Sequence, residues 1–291
     1  MSAPKIFECV PNVSEGRDAE TIAACAAAIA GAGATLAHVT SDEAHHRSVF
    51  TFFGGRAEAL AAAVALARVA IERIDLRRHR GVHPRIGALD VLPFVPLAGA
   101  TIEDARSLAR EAAQRIWTET ATPSYFYGDL ATREEHRNLA TVRSGEFEGL
   151  GARPGRGIVP DVGDVPLHPG AGAVAVGVRG LLVAFNVVLR TGDVRVARRI
   201  ARALREGGGG LRSLRALGVA LDDGRVQVSC NLTDHRALPL DRVTALVRAA
   251  ARRAGVEVAE SELIGLVPRA SLAAVAARAL GLDGPADVLG R

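Results

Sequence analysis

Apolar positions along the chain switch between a period near two and a period near 3.6, and the whole pattern occurs twice. Residues 5–10 form a short apolar run that predicts a strand, followed by a turn-rich loop over residues 11–16. Asp18 is placed to cap a helix that Gly31 and Gly33 stop. Residues 35–40 and 48–53 predict two strands, separated by the polar connection Ser41 to Arg47. A long helical period covers residues 57–74, and an apolar run bounded by Pro93 and Pro96 predicts a strand over 89–96. The order is β-α-β-β-α-β.

A helix over 101–120, a short strand over 124–127 and a short helix over 133–142 come next. Residues 149–172 have no period and are dense in Gly and Pro, which marks a linker or a ligand loop. The first pattern then returns. Residues 173–189 hold one or two strands interrupted at Arg179-Gly180, and Asp193 caps a helix over 194–205. Asp222-Asp223-Gly224 between apolar runs at 214–221 and 225–232 is a hairpin signal. A helix over 240–254 and a strand over 256–262 complete the second β-α-β-β-α-β. We therefore expect an α+β chain of two tandem ferredoxin-like subdomains, residues 1–172 and 173–291, whose open sheet faces meet or enclose a ligand.

Composition narrows the function classes. With 291 residues and 48% apolar content the chain is folded, not fibrous. It has no apolar stretch of membrane-spanning length, and residues 1–20 lack signal-peptide shape, so a cytoplasmic protein without membrane contact is expected. Cys9, Cys25 and Cys230 are isolated and read as small core residues. The net charge of +4 comes from scattered arginines, with Lys5 the single lysine, and aromatics are only 4%. No stacking platform for nucleic acid follows from that pattern, and none is expected as a partner. A mildly basic surface favours small polyanionic ligands.

The chemistry concentrates in residues 75–97. The helical period ends there, Gly81 breaks the chain, and His83-Pro84-Arg85 follows. Pro84 biases His83 toward extended backbone, so its imidazole sits at a chain corner. An ordinary pKa near neutrality suits such a residue to proton transfer. The alternative is a surface loop of solvated His and Arg side chains. His45, His46, His79 and His83 also raise the question of a metal-dependent hydrolase. Gly81 and Pro84 keep His79 and His83 off one helix face, and no His-Glu-x-x-His motif exists, so no metal is expected.

Glu8-Cys9-Val10-Pro11-Asn12-Val13-Ser14-Glu15-Gly16 resembles the opening of the formiminotransferases. His46-Arg47-Ser48-Val49, the loop from Gly81 to Asp90, Pro160-Asp161-Val162-Gly163, Ala184-Phe185-Asn186-Val187, the run Gln227 to Asp234 and the run Ser261 to Pro268 resemble the same family in the same order. The resemblance spans the transferase part of the animal enzymes, without room for their cyclodeaminase domain. It implies a tunnel between two subdomains, a homodimer, and transfer of a formimino group from N-formimino-L-glutamate to N5 of tetrahydrofolate as co-substrate. It also implies that His83 is catalytic and that the loop from Gly163 to Gly172, with Asp164, Leu167, His168 and Pro169, contacts folate.

Arg47, Arg85 and Arg179 are candidates for substrate carboxylates, with structural salt bridges as their alternative. Asn12 is a candidate ligand contact, as are Thr40 and His46. Three positions depart from the family pattern: Thr40 where an acid is usual, His46 where Asn is usual, and Val82 where Glu is common. They keep open a same-fold folate enzyme with another donor, such as 5-formyltetrahydrofolate, or a folate-binding protein without catalysis.

Overall fold

The structure, a computed structural model, describes residues 4–43, 45–81, 83–150, 159–221 and 223–279. Val82 and residues 151–158 of the expected linker lie outside the described residues. The chain divides into two units, Met1–Gly180 and Leu181–Arg291.

In the first unit the strands are β1 (Phe7–Cys9), β2 (Asn12–Val13), β3 (Thr35–Asp42), β4 (Arg47–Gly54), β5 (Leu89–Pro96), β6 (Ser124–Gly128) and β7 (Val174–Val178). Its helices are α1 (Ala19–Gly31), α2 (Arg56–Arg73), α3 (Ile102–Thr120), α4 (Leu139–Val142) and α5 (Glu146–Leu150). β1 and β2 lie in one lane between β4 and β5 and pair antiparallel with both. Part of the loop expected at 11–16 is thus strand. Pro11 has no amide hydrogen to give the ladder, which splits the lane in two, while its carbonyl still accepts the Phe50 N–H at 3.0 Å. β3 flanks β4, so the first β-α-β-β-α-β has its opening strand inserted between the third and fourth, as the ferredoxin-like arrangement requires.

On the free side of β5 the sheet is extended by β7 and then β6, both parallel to it. The sequence pattern at 173–189 places β7 in the second half. Val174–Val178 is buried at every position, the mark of a central parallel strand, and its neighbours belong to the first unit. The division therefore falls after Gly180 and not after Gly172. The helix expected over 133–142 is a 3₁₀ turn, Glu134–Arg137, followed by α4, and the pattern did not foresee α5.

Phe7, Cys9, Phe50, Phe52, Leu92 and Phe94 point from one sheet face into a core shared with α1, α2 and α3. The opposite face is apolar only under β5, β7 and β6, where Val91, Tyr125 and Ala175 meet Val142, Leu150 and Leu167. Elsewhere that face mixes Val49 and Phe53 with Glu8, Asn12, Thr40 and Arg47, and it carries the candidate site.

The second unit contains β8 (Val183–Leu189), α6 (Val194–Leu204), β9 (Leu214–Ala220), β10 (Val226–Leu232), α7 (Leu240–Arg253), β11 (Val258–Ile264) and α8 (Arg269–Ala279). Its strand order β11-β8-β10-β9, all antiparallel, repeats the ferredoxin-like arrangement. Asp193 caps α6 through the Arg195 N–H, as its position suggested. α8 was not foreseen, because its alanine-rich run carries almost no apolar period. All three cysteines are buried, and burial pushes the Cys25 and Cys230 thiols up to about 12, so they serve as core.

Candidate active site

Register across the sheet puts Thr40, Val49, Asn12 and Val91 in one row on this mixed face. Arg47, two residues before Val49 on β4, shares that face and is 7% exposed. Its guanidinium is divided three ways. Nε donates to the Asn12 side-chain oxygen at 2.8 Å, Nη2 to Asp90 at 2.6 Å, and Nη1 lies 2.5 Å from His83 Nδ1.

Asp90 is fully buried. One of its oxygens accepts the Ile86 N–H at 2.8 Å, and the other accepts both Arg47 and Arg143, each at 2.6 Å. Burial pushes its carboxyl upward, but Arg143 and Arg47 together outweigh that and hold it below the usual carboxylate range.

His83 is half-buried. Burial first, and then the charge of Arg47, push its imidazole down to about 4. Its Nδ1 also lies 2.7 Å from the Pro84 carbonyl. Arg47 can donate only to a bare Nδ1, whereas the carbonyl accepts only from a protonated one, so two neutral tautomers compete. Nε2 has no partner among the described residues. The ring of His45 stands edge-on to it at 6.2 Å.

Arg85 is as buried as Arg47 but is directed to other groups. Nε donates to His79 Nδ1 at 3.2 Å, Nη1 to Glu146 and Glu148 at 3.0 and 2.8 Å, and Nη2 to Glu148 at 2.7 Å. The bond from Arg85 holds the Glu148 carboxyl down to about 2. Because His79 Nδ1 accepts, its Nε2 carries the proton and donates to the His46 carbonyl at 3.1 Å. The two rings stack at 4.2 Å. His46 Nδ1 in turn accepts the Gly16 N–H at 3.1 Å. Burial pushes both imidazoles down. A side chain at Gly81 would meet the His45 carbonyl at 2.7 Å, which explains glycine there. His79, Arg80, Arg85, Glu146 and Glu148 line an adjoining cavity of about 400 Å³.

The glycine-rich loop is stitched to the loop that carries His83. Leu76 N–H donates to Gly170, Ala88 N–H to Ala171 and Ala173 N–H to Ile86, at 2.8 to 2.9 Å. Gly172 has φ +73° and a Cβ there would lie 2.0 Å from the Ile86 carbonyl, so only glycine permits the junction. His168 Nδ1 accepts the N–H groups of Gly170 and Ala171 at 3.3 and 2.9 Å and shapes the turn. Leu167 packs beside Tyr125, Gly163 lies against Trp117 and Pro123, and Asp164 and Pro169 are exposed. Arg179 stands at the Phe94 end of β5, donates to Gly180, and opposes the upward push of burial on Glu8.

The structure thus joins His83, Arg47 and Asn12 directly, sets Thr40 on their face, and gives Arg85 and His46 to a neighbouring tie that runs from Gly16 through His79 to Glu148. Asp90, Arg143, Glu146 and Glu148 were missing from the sequence candidates. A charged residue inside the apolar run Leu89-Asp90-Val91-Leu92 is a signal that could have found Asp90, whereas Arg143 is one arginine among many. Among the described residues no group of three or more His, Cys, Asp or Glu is arranged to hold a metal ion.

Residues 6–179 match the formiminotransferase domain, N-terminal subdomain, and residues 184–280 match the formiminotransferase domain. The chain is 43% identical over 275 residues to glutamate formimidoyltransferase of Streptococcus pyogenes serotype M1, covering 94% of this chain and 92% of that protein. It is 39% identical over 287 residues to glutamate formimidoyltransferase of Thermoplasma acidophilum, covering 96% and 93%. Formimidoyltransferase-cyclodeaminase of Gallus gallus is 38% identical over 277 residues, covering 92% of this chain and 51% of that longer protein. With both units matched and relatives aligned along almost all of its length, the chain belongs to the formiminotransferase family.

Proposed function

We propose that this chain transfers the formimino group of N-formimino-L-glutamate to N5 of tetrahydrofolate, with His83 carrying the proton between the two nitrogens. The observation that carries the mechanism is the imidazole itself: neutral, half-buried, engaged at Nδ1 by Arg47 and the Pro84 carbonyl, and open at Nε2.

N5 attacks the formimino carbon and forms a new C–N bond, giving a tetrahedral carbon. Nε2 takes the N5 proton, which requires the tautomer whose Nδ1–H donates to Pro84. The same proton then passes to the glutamate nitrogen as its bond to carbon breaks, and glutamate leaves as an amine. Nothing is oxidised or reduced. Arg47 beside the ring makes the transient imidazolium a strong acid, which favours the second proton transfer. Acid–base help of this kind is worth roughly 10² to 10⁴-fold, and holding both substrates in register supplies much of the rest. In this reading Gly163 to Gly172 forms the folate side of the site, fastened to the His83 loop, and Asn12 and Thr40 line its floor. Homodimerisation is carried over from the family resemblance.

The test is to mix purified protein with tetrahydrofolate and formiminoglutamate and to follow 5-formiminotetrahydrofolate and free glutamate by mass spectrometry. Turnover is expected, and His83→Gln lowers kcat by at least about 10²-fold with tetrahydrofolate affinity kept. Turnover with 5-formyltetrahydrofolate and none with formiminoglutamate overturns the donor assignment. Undiminished turnover in His83→Gln overturns the role of the imidazole.

A further inference from the structure

The group around Asp90 is not balanced in charge. One buried carboxylate faces two guanidiniums, Arg47 at 8% and Arg143 at 15% side-chain exposure, and both contact the same oxygen. Arg47 is fully engaged through Asn12, Asp90 and His83. Arg143 is not. Its Nη2 bonds Asp90, but its Nε is buried with no hydrogen-bond partner among the described residues. An unpartnered buried donor is costly, and a donor on a charged group more so, so a structural counter-ion for Asp90 would be expected to satisfy it. Arg143 also lies close enough to His83 for its charge to act on the imidazole. The other groups that face His83 are Arg47 from β4, Asp90 from β5 and His45 from the turn before β4.

We propose that Arg143 receives a carboxylate of the formimino donor, and of the glutamate it releases, beside His83. This rests on the functional reading above. A carboxylate meeting the part of Arg143 that stays exposed neutralises the surplus positive charge. That neutralisation makes the imidazole more basic only when the donor is bound, so His83 gains proton affinity at the moment the reaction uses it. The same residue then serves binding and timing, which a plain partner of Asp90 does not.

Arg143→Met and Arg143→Lys test this in the whole chain. For Arg143→Met we expect the KM for formiminoglutamate to rise roughly 10- to 100-fold, the worth of a charge-assisted hydrogen bond, with the KM for tetrahydrofolate within about twofold. Arg143→Lys, which keeps the charge without the planar fork, recovers part of the loss. A readout independent of turnover is the NMR titration of the His83 ring, assigned by its absence in His83→Gln. In the parent chain L-glutamate raises the pH at which the ring titrates, and in Arg143→Met it does not. A KM for formiminoglutamate that is unchanged in Arg143→Met, in a parent chain that turns over, overturns the inference and leaves the function standing. If the parent chain does not turn over formiminoglutamate, the functional reading falls, and the absence of a ring shift with L-glutamate overturns the inference as well.

Discussion

Replacing Asp90 by Asn is the sharpest physical test of the site. The substitution keeps size and shape but removes the one negative charge that holds Arg47 and Arg143 in a buried place. The carboxylate makes three charge-assisted bonds of 2.6 to 2.8 Å and has no exposed surface. Removing one partner of a buried ion pair typically costs about 3–5 kcal/mol, because the stranded charge has lost both water and partner. Here two guanidiniums are stranded, while the amide oxygen of Asn still offers one of them a neutral acceptor. The estimate therefore stays near the middle of that range. For a unit of this size each kcal/mol moves Tm by roughly 2–4 °C, so Asp90→Asn should melt roughly 8–16 °C lower.

The comparison that gives this number meaning is Glu134→Gln. Glu134 pairs with Arg137 at 2.9 Å, but the two side chains are 85% and 63% exposed. Water screens such a pair, and its loss should cost less than about 1 kcal/mol. Thermal melts followed by circular dichroism under identical buffer decide the matter. If Asp90→Asn melts within about 2 °C of the parent, or no lower than Glu134→Gln, the buried-charge account of the site is wrong.

Four further outcomes follow from the geometry. The folded-state pKa values of His83, His46 and His79 are all pushed down, that of His83 to about 4, so the unfolded chain binds more protons below their ordinary value near 6.5. Stability should be full above pH 6.5 and fall as pH drops toward 4, and His83→Gln should flatten that fall in urea titrations at stepped pH. Gly172→Ala sets a Cβ against the Ile86 carbonyl at positive φ and should destabilise by more than about 2 kcal/mol in urea. Gly149→Ala, with open space around it in α5, should be neutral or slightly stabilising. Arg85→Met frees Glu146 and Glu148, and the Phe147 N–H, bonded to the Arg85 carbonyl at 2.9 Å, should then exchange with solvent faster.

The repeated β-α-β-β-α-β was legible because strand alternation and helix period are strong in both halves, with caps such as Asp18 and Asp193 at the starts. What escaped were features that depend on partners distant in sequence. Nothing local to Val174–Val178 says which sheet it joins, since a strand buried on both faces reads the same in either. The interruption at Pro11 hides that Asn12 and Val13 continue the lane of β1. His83 stands out as a candidate by its corner beside Pro84, and Asn12 and Arg47 by residue type and family pattern, but their mutual contact cannot be read from sequence. Arg85 looked like Arg47 in sequence. The two differ because Glu146 and Glu148 lie on a short helix that no periodicity announced.

Topology explains why residues so far apart in sequence meet. β2 and β3 run toward one end of the sheet, while β4, β5 and β7 begin there. The turn before β4, the loop before β5, the loop before β7 and the Ser14 to Gly16 segment after β2 therefore share that edge. In doubly wound sheets ligands sit at the carboxyl ends of parallel strands, where helix amino termini greet anions. The edge used here is the amino end of parallel β5 and β7; α1, which follows the Ser14 to Gly16 segment, begins there, whereas α2 and α3 bring their carboxyl termini to it. Helix dipoles of that sense repel anions. With two carboxyl ends set against the one amino end of α1, the proposed dicarboxylate donor would draw on side-chain charge at this edge. Arg47 and Arg143, both largely buried and both on the one carboxylate of Asp90, leave a positive charge over, whereas Arg85 is offset by Glu146 and Glu148.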